Sequence, residues 1–338
     1  MVEPVSFGKT GLQIEKSPLC PLCQGLSQLS FVSVLKKGGE KRLSPNSIKE
    51  KSFSYYFCSF CDWEFLWPQL SDEELVFYYP QEDYGPYQSP KKKEDSILKK
   101  WTLQAIYGYP GPKRPLFAPL LAKIFQKKYF FPPHILKGKA LEIGPGNGRL
   151  LSFLSQLGWE IEGVEWNPSV AAKLQKAGYK VKAGTLEQQN YPDQRFDLVV
   201  ALHVVEHLRN PLAFFKEVSR ILKPNGWLWI ETPNRKAFGR KLCKSFWMGN
   251  DPPRHFFLFS PKSFQILSTL SNLQIYKIQS PTRPKYLLKS LEERFSLPPR
   301  SLSRSKVLRN FIHLLATILV GPHGGDELHI LFQKKKNT

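Results

Sequence analysis

The sequence lacks a long hydrophobic run. No apolar stretch approaches the roughly 20 residues that a membrane-spanning helix needs. The longest candidate, FIHLLATILVG at residues 311–321, is about half that length and contains a histidine. The N-terminus, MVEPVSFGKTGLQIEKSP, also has no basic segment followed by an apolar one, as a signal peptide would. We therefore expect a cytoplasmic protein.

Acidic residues are scarce: 28 Asp and Glu stand against 49 Lys and Arg, a formal net charge of +21. The excess is uneven, because residues 140–235 carry a net charge of only +1, whereas residues 86–139, 236–280 and 281–338 carry +10, +6 and +7. The basic flanks are either solvated surface or a contact for an anionic partner, such as nucleic acid, an acidic lipid surface or a phosphorylated substrate. Residues 1–85 have a net charge of −3, which disfavours phosphate binding by this segment.

Cysteines number only five, and four of them form two C-x2-C pairs: Cys20 with Cys23, and Cys58 with Cys61. Cys243 stands alone. Because a cytosolic chain rarely uses cysteines for disulfides, metal binding is the first interpretation. Four thiolates suit a tetrahedral zinc ion. A redox role is the alternative, but redox C-x2-C motifs occur singly beside a βαβ unit.

The 34 residues between the two cysteine pairs contain a polar loop, KKGGEKRLSPNS, between two β-type runs, LSFVSVL and SFSYYFC. This pattern predicts a zinc ribbon with a long hairpin loop. Four protein ligands leave no open position for water or substrate, so the predicted zinc is structural.

The region after the ribbon is helical and basic. Ser71 and Glu74 in SDEELVFYY form a capping-box pattern that predicts a short helix. SPKKKEDSILKKW then has the composition of a linker, and PLFAPLLAKIFQKKYFF is basic and amphipathic, so it either packs on the next domain or lies on a membrane. We expect a ribbon at residues 1–70, a connecting region at 71–138 and a main domain at 139–338, with a substrate-covering insertion at about 236–262.

From residue 139, short apolar runs alternate with helical stretches. Two of the predicted helices begin at a proline, Pro168 and Pro211, and one of them ends at Gly178, which is the usual asymmetry of helix ends. The alternation predicts an α/β fold with a doubly wound parallel sheet that binds ligands at the carboxyl ends of its strands.

A glycine-rich turn, EIGPGNG, follows the first of these strands and precedes its helix. Its third glycine, Gly148, comes one residue earlier than in the dinucleotide fingerprint, which disfavours a nicotinamide cofactor. The absence of a P-loop lysine excludes an ATP P-loop. Glu165 ends the second strand 17 residues after Gly148, where a carboxylate can accept both hydroxyls of a ribose.

Four stretches together resemble the class I S-adenosylmethionine-dependent methyltransferases: ALEIGPGNGRLL, GVEWNP, FDLVVALHVVEHLRNPLAFFKEVSRILKPNGWLWIETPN and RHFFLFSP. The resemblance is closest to the branch with the ubiquinone-type O-methyltransferases and covers about residues 139–270. It implies a Rossmann-like fold with a seven-stranded, mostly parallel sheet, and GGDELHILFQKK suits its antiparallel last strand. The cysteine pairs followed by EEL…YY…Y are similar to zinc-tailed members of that family.

The resemblance also implies a binding site for S-adenosylmethionine. Its methionine end would lie at Glu142 and the glycine loop, its ribose at Glu165 and its adenine beside Trp166 and Asn167. Most relatives have an acid where this chain has Thr185, so that adenine contact departs from the family pattern. The implied cofactor-binding residues are Glu142, Gly144, Gly146, Gly148, Glu165, Trp166, Thr185, Leu186, Leu202 and His203.

Methyl transfer from a sulfonium needs alignment and, for a hydroxyl acceptor, a base. His207 is the first candidate base and His255 the second, because an imidazole titrates near neutral pH. Alternatively, His207 only orders the loop around Glu206. The aromatic run Phe256–Phe257 and Phe259 beside His255 either lines the acceptor pocket or packs in the core.

The function expected is methyl transfer to a small molecule, a glycan or a lipid precursor, at oxygen. One alternative is an rRNA or tRNA methyltransferase that uses the basic surface. Zinc-ribbon rRNA guanine methyltransferases share the layout, but this chain has HVVEHL where many base-methylating enzymes have N-P-P-F/Y. Another is a module that binds the cofactor without turnover, which the intact loop and acid disfavour. Two further segments are basic and apolar by turns: KYLLKSLEERF and SKVLRNFIHLLATILVG. They either contact a membrane peripherally or form helices that pack on the sheet.

Overall fold

The computed structural model describes residues 17–35, 51–79, 97–113, 115–120, 130–133, 135 and 138–336. Within these ranges, the strands are β1 (Gln28–Leu35), β2 (Lys51–Cys58), β3 (Trp63–Leu66), β4 (Lys139–Ile143), β5 (Glu160–Glu165), β6 (Val181–Ala183), β7 (Phe196–Leu202), β8 (Leu222–Pro233), β9 (Phe257–Leu258), β10 (Leu273–Gln279) and β11 (Glu327–Lys334). The helices described over their full length are α1 (Asp72–Val76), α2 (Ile97–Tyr107), α3 (Arg149–Gln156), α4 (Pro168–Lys176), α5 (Pro211–Ile221), α6 (Phe238–Cys243), α7 (Pro261–Thr269), α8 (Pro284–Arg294) and α9 (Lys306–Leu319). None of the helices in these ranges is long and apolar enough to cross a membrane.

The main sheet has seven strands in the order β10-β11-β8-β7-β4-β5-β6. Strands β8, β7, β4, β5 and β6 pair in parallel, whereas β11 is antiparallel to both β8 and β10. Parallel strands with helices on both faces are buried on both sides, which explains their continuous apolar sequence. The sequence prediction of a seven-stranded, mostly parallel sheet with an antiparallel last strand is confirmed.

Helix starts on this sheet follow the predicted proline positions. Pro168 and Pro211 occupy the first turns of α4 and α5, and an asparagine precedes each of them. The Asn167 side chain accepts hydrogen bonds from two main-chain N–H groups of α4, and the Asn210 side chain accepts one from α5. These caps fix where each helix leaves the carboxyl end of its strand.

The connecting region contains the predicted capping box at the start of α1. Ser71 Oγ accepts from the Glu74 main-chain N–H (3.3 Å), and Glu74 Oε2 accepts from the Ser71 main-chain N–H (3.0 Å). Residues 97–101 of the stretch predicted as a linker, SPKKKEDSILKKW, belong to α2, because Leu103 and Tyr107 provide an apolar face that is buried against the main domain. The rest of that stretch lies outside the described residues. Most of PLFAPLLAKIFQKKYFF lies outside the described residues.

A second sheet joins the N-terminal segment to the main domain. Its order is β1-β2-β3-β9. The last of these strands, β9, belongs to the main domain predicted at residues 139–338. Glu64 pairs with Leu258 and Phe65 with Phe257 in antiparallel register. Tyr55 Oη also donates to the His255 carbonyl oxygen at 2.7 Å. The cysteine-containing segment is therefore part of a sheet that it cannot complete without the main domain.

The apolar core is continuous across this joint. Trp63 packs against Phe257 with ring centroids 4.8 Å apart, and Phe259 packs against Phe264 at 4.9 Å. Phe256, Phe257 and Phe259 are each at most 2% exposed. Of the two interpretations left open by the sequence for these aromatics, packing in the core is the one that the structure shows.

Ion pairs across the joint connect two acidic residues of the N-terminal segment to basic residues of the main domain. The Arg235 guanidinium contacts both Asp62 and Glu64, and the Arg240 guanidinium contacts Glu64. Lys236 Nζ lies 2.7 Å from Asp62. The carboxylates of the ribbon are thus neutralised by basic residues of the main domain, and Glu64 is almost fully buried with them.

Candidate functional site

The glycine loop connects β4 to α3 and has the geometry that only glycine adopts freely. Gly144, Gly146 and Gly148 have positive φ values of 66°, 52° and 72°. A Cβ on Gly144 would lie 2.8 Å from Val204 Cγ2, and one on Gly148 would lie 2.6 Å from Leu174 Cδ2. All three glycines are therefore required by backbone conformation, and two of them also by space.

Glu165 ends β5 beside this loop and holds it in place. Its Oε2 accepts a hydrogen bond from the Gly146 main-chain N–H (3.1 Å), and its Oε1 accepts one from the Asn167 N–H (3.0 Å). Burial raises the pKa of Glu165, and these two hydrogen bonds oppose the rise. Each carboxylate oxygen has a second lone pair, so the carboxylate can still accept hydroxyls from a ligand.

Glu142 is the second buried acid of the loop, and its Oε2 is buried with no hydrogen-bond partner among the described residues. Burial, and then the nearby Glu165, raise the pKa of Glu142 to about 8. A buried polar atom without a partner is costly, so its retention next to a ligand-binding loop indicates a missing partner. A cationic amino group would satisfy this oxygen and would return the carboxyl to its charged form.

The predicted adenine-side residues lie around the next turns of the sheet. Trp166 is 42% exposed, as expected for a ring that stacks on a ligand, and Leu186 is buried. The Asn167 side chain is occupied as the cap of α4. Thr185 is exposed, but its main-chain N–H already donates to Gln188 Oε1 at 2.8 Å, so only its hydroxyl is left for a ligand.

The turn after β7 lies next to the glycine loop, because β7 and β4 are neighbours in the sheet. Leu202 ends β7, and His203 follows with a positive φ of 54°. The His203 main-chain N–H donates to the Glu231 carbonyl oxygen at 2.7 Å. Val204 Cγ2 fills the space that a side chain on Gly144 would need, so this turn borders the methionine end of the predicted cofactor site.

His207 and His255, the two bases predicted from sequence, are brought together by the fold, with ring centroids 4.7 Å apart. His207 Nδ1 lies 2.8 Å from the Arg254 carbonyl oxygen and 2.9 Å from Tyr79 Oη. His255 Nδ1 lies 2.9 Å from the Gly249 carbonyl oxygen. Burial, and then the charge of His255, lower the pKa of His207 to about 4.

Tyr79 is a site residue that the sequence analysis did not single out. Its ring lies 5.8 Å from the Trp166 ring, and its hydroxyl contacts His207. Tyr79 therefore links the adenine side of the site to the histidine pair. The only signal for Tyr79 in the sequence is its place in the EEL…YY…Y stretch. Its position in the site depends on packing between segments that are distant in sequence.

A charged cluster at the carboxyl ends of β7 and β8 was also missed. Glu206 is fully buried, and Glu327 is buried beside it in the chain's last strand. Arg283 Nε donates to Glu327 Oε2 at 2.6 Å, and His329 lies between Glu327 and Glu231. These residues are far apart in sequence and have no motif spacing, so only the sheet order brings them together.

The four paired cysteines converge on one point. Cys20 Sγ lies 3.8 Å from Cys61 Sγ, Cys23 Sγ lies 3.6 Å from Cys58 Sγ, and all four sulfurs are within 4.8 Å of one another. A tetrahedral zinc ion with bonds of about 2.3 Å requires sulfur–sulfur distances of about 3.8 Å. The four thiolates therefore fit a zinc ion. Cys243 lies elsewhere, in a cluster with Ala237 and Trp247.

Taken together, a doubly wound sheet, a glycine loop after one strand and a buried acid at the end of the next define a nucleotide-binding α/β protein. Comparison with known proteins shows which proteins the central part of the chain is similar to. Residues 116–278 match a family model described as "Methyltransferase domain". This match and the relatives described next support a class I S-adenosylmethionine-dependent methyltransferase.

Several relatives carry a specific name. The chain is 38% identical to a ubiquinone biosynthesis O-methyltransferase of Bradyrhizobium diazoefficiens over 103 residues. This aligned stretch covers 29% of this chain and 40% of the relative. It is 32% identical over 118 residues to a protein of the same name from Cereibacter sphaeroides. This stretch covers 32% of this chain and 48% of the relative. The chain thus spans less than half the length of these relatives. A solved S-adenosylmethionine-dependent methyltransferase from Archaeoglobus fulgidus is 22% identical, with 58% of this chain and 86% of that chain covered and a TM-score of 0.41.

Proposed function

We propose that this protein transfers the methyl group of S-adenosylmethionine to a hydroxyl oxygen of a small molecule, a glycan or a lipid precursor. The observation that carries the proposal is the glycine loop with its two acids, one of which, Glu142, has a buried oxygen without a partner among the described residues. The relatives named ubiquinone biosynthesis O-methyltransferase support oxygen as the accepting atom.

The chain's own residues supply binding and orientation. Glu142 would pair with the amino group of the donor, and Glu165 would accept its ribose hydroxyls while it holds the loop through Gly146. Trp166 and Leu186 would flank the adenine, with the Thr185 hydroxyl at its edge. When bound, S-adenosylmethionine supplies a methyl group that its positive sulfonium already activates, so the protein mainly has to align the acceptor.

His207 and His255 are proposed to position the segment that covers the acceptor rather than to act as bases. Both rings contact main-chain carbonyl oxygens, and the Phe256 N–H donates to the Glu206 carbonyl oxygen at 2.7 Å. The lowered pKa of His207 makes it a weak base at neutral pH. The zinc at Cys20, Cys23, Cys58 and Cys61 is proposed to be structural, because the four thiolates fill its coordination sphere.

A lipid-linked acceptor is supported by one face of α9. Val307, Phe311 and Leu314 lie one turn apart on this face and are 81%, 55% and 60% exposed. Lys306 and Arg304 are exposed beside it, and an apolar face with basic neighbours suits an anionic lipid surface. Flotation with phosphatidylglycerol vesicles should retain the wild type and lose the Phe311→Ser variant; equal flotation of the two would contradict this contact.

The donor site is tested by calorimetry with S-adenosylmethionine. Glu165→Ala removes charge-assisted hydrogen bonds to the ligand and to the loop, so binding should weaken by at least about 100-fold. Glu160→Ala is the matched control, because Glu160 lies on the same strand and is exposed. Equal affinities of the two variants would contradict the site.

The acceptor is identified by incubation with methyl-labelled S-adenosylmethionine and fractions of a cell extract. We expect the label in a small-molecule, glycan or lipid fraction, in a base-stable linkage typical of a methyl ether. Label in the RNA fraction, with salt-dependent binding to rRNA fragments, would support the alternative of an RNA methyltransferase instead. No labelled product in any fraction would contradict the proposed activity.

A further inference from the structure

The starting observation is the backbone of His203. Its φ of 54° is left-handed, a conformation that residues with side chains rarely adopt, and such strain concentrates at functional sites. The His203 side chain is 40% exposed although it lies at the carboxyl end of a central strand. The side chain of the next residue, Val204, occupies the space beside Gly144 of the glycine loop, where a Cβ on Gly144 would lie 2.8 Å from Val204 Cγ2. The imidazole is thus partly exposed at the border of the proposed donor site.

The hydrogen bonds of His203 orient the ring for proton transfer. Its Nδ1 lies 3.3 Å from Glu206 Oε1, while Glu206 Oε2 accepts from Thr232 Oγ1 at 2.9 Å. Glu206 is fully buried, so its carboxylate is a fixed partner. In the neutral form of the ring, a proton on Nδ1 is therefore favoured, which leaves the lone pair on Nε2. Nε2 lies 3.8 Å from Glu327 Oε1, which is beyond hydrogen-bond distance.

Charged groups surround this ring from every element packed against it. Carboxylates come from the turn itself (Glu206), from β8 (Glu231) and from β11 (Glu327), and Arg283 and His329 lie behind Glu327. Burial alone would lower the pKa of His203, but the hydrogen bond and charge of Glu206, followed by Glu327 and Glu231, raise it to about 9. The carboxylates thus stabilise the ring once it has taken up a proton.

We propose that His203 is the base that removes the proton of the methyl acceptor, with Glu206 and Thr232 as the residues that position it. This inference rests on the proposed methyl transfer. The acceptor O–H gives its proton to Nε2, and the acceptor oxygen forms a bond to the methyl carbon. The electron pair of the carbon–sulfur bond stays with sulfur, which leaves a neutral thioether.

The chemistry of the cluster favours an acidic hydroxyl, such as a phenol or an enol. A phenol has an ordinary pKa of about 10, close to that of the carboxylate-stabilised imidazolium, and proton transfer between groups of matched pKa is efficient. The nearby positive charge of the donor should lower the pKa of His203 and release its proton before the acceptor reacts.

The test compares two ligands that differ by one charge. S-adenosylmethionine carries a sulfonium, whereas S-adenosylhomocysteine is the neutral thioether without the methyl group. NMR titration of histidine-labelled protein follows the imidazole pKa values, and the signal that disappears in His203→Gln identifies His203. Its pKa should be lower with S-adenosylmethionine than with S-adenosylhomocysteine by about half a unit or more, which is the effect of a unit charge about 6 Å away even in water.

The pKa of the exposed His313 on α9 is the internal control and should be equal with both ligands. Equal pKa values of His203 with both ligands, in protein that calorimetry shows to be saturated, would overturn the role of His203 and leave the methyltransferase proposal standing. Binding of neither ligand would instead overturn the proposed function on which the inference rests.

A second measurement separates a base from a structural residue. With saturating labelled donor and the small-molecule fraction of an extract, His203→Gln should slow transfer by about 10²- to 10⁴-fold, whereas His313→Gln should not change it. Because the neutral imidazole is the active form, the wild-type rate should rise with pH through the pKa of His203. Glu327→Gln removes a negative charge and should move this rise to lower pH; an unmoved rise would contradict the proposal.

Discussion

At the scale of single residues, Glu142 and Glu165 differ in how their charges are satisfied. Glu165 receives two main-chain hydrogen bonds, whereas one oxygen of Glu142 has no partner among the described residues. Burial and the neighbouring Glu165 hold the pKa of Glu142 at about 8. Glu142 is therefore mostly protonated at pH 7 until a cation replaces its proton.

This difference predicts proton release on ligand binding. S-adenosylhomocysteine has the amino group of the donor but no sulfonium charge, so it tests Glu142 without disturbing His203. Its binding at pH 7 should release nearly one proton, because the raised pKa falls when the ammonium group pairs with the carboxylate. Calorimetry in buffers of different ionisation enthalpy measures this number.

Glu142→Gln is the control, since glutamine has similar size and no titratable proton, and its proton release should be close to zero. Affinity of the wild type for the ligand should increase with pH up to about 8. Below this pH, binding has to remove the proton of Glu142, and the free-energy cost of that removal falls as the pH rises. Release of the same number of protons by both proteins would contradict the pairing of Glu142 with the amino group.

At the scale of elements, the four-cysteine segment proposed as a zinc ribbon and strand β9 depend on each other. β3 pairs with β9, and the Leu66 N–H donates to the Phe256 carbonyl oxygen at 2.8 Å. The same segment contacts the Glu206 carbonyl oxygen through the Phe256 N–H. A distortion of the ribbon is therefore transmitted to the turn that contains His203 and His207.

Removal of a zinc ligand tests this dependence. Elemental analysis of the wild type should give about one zinc per chain, and Cys58→Ser should lose most of it and unfold at a lower temperature, because metal binding contributes directly to folding. Cys243→Ser should keep the zinc, since Cys243 is remote from the four sulfurs. A wild type without bound metal would contradict the zinc site.

At the scale of the whole molecule, the N-terminal segment and the main domain are joined by buried charges as well as by a shared core. Glu64 is 2% exposed and contacts Arg235, Arg240 and Ser30. Removing one member of a buried pair leaves an uncompensated charge, which costs more than the pair itself contributes.

Glu64→Gln should therefore lower the free energy of unfolding by about 3 kcal/mol. The matched control is Asp72→Asn, which removes the exposed pair with Arg209 and should cost at most about 1 kcal/mol. Urea unfolding followed by fluorescence measures both values. Equal losses in the two variants would show that the ion pairs at the joint are not important for stability.

Local patterns were sufficient to predict much of this molecule. Strand and helix alternation, the helix starts at Pro168 and Pro211 and the glycine loop depend on neighbouring residues, and the structure confirms the fold that they predict. Tyr79, Glu231 and Glu327 are not recognisable as site residues from the sequence. Their positions depend on contacts between distant segments, which leave no spacing to recognise.

The sequence by itself thus determined the fold class, the glycine loop and the four cysteines, because each follows from periodicity or fixed spacing along the chain. Only the tertiary structure decided that the ribbon completes its sheet with β9, and that Glu206, Glu231 and Glu327 surround His203. The physical reason is that the strand order places the ends of β7, β8 and β11 side by side. Burial at this point strengthens the electrostatic interactions between these charged side chains.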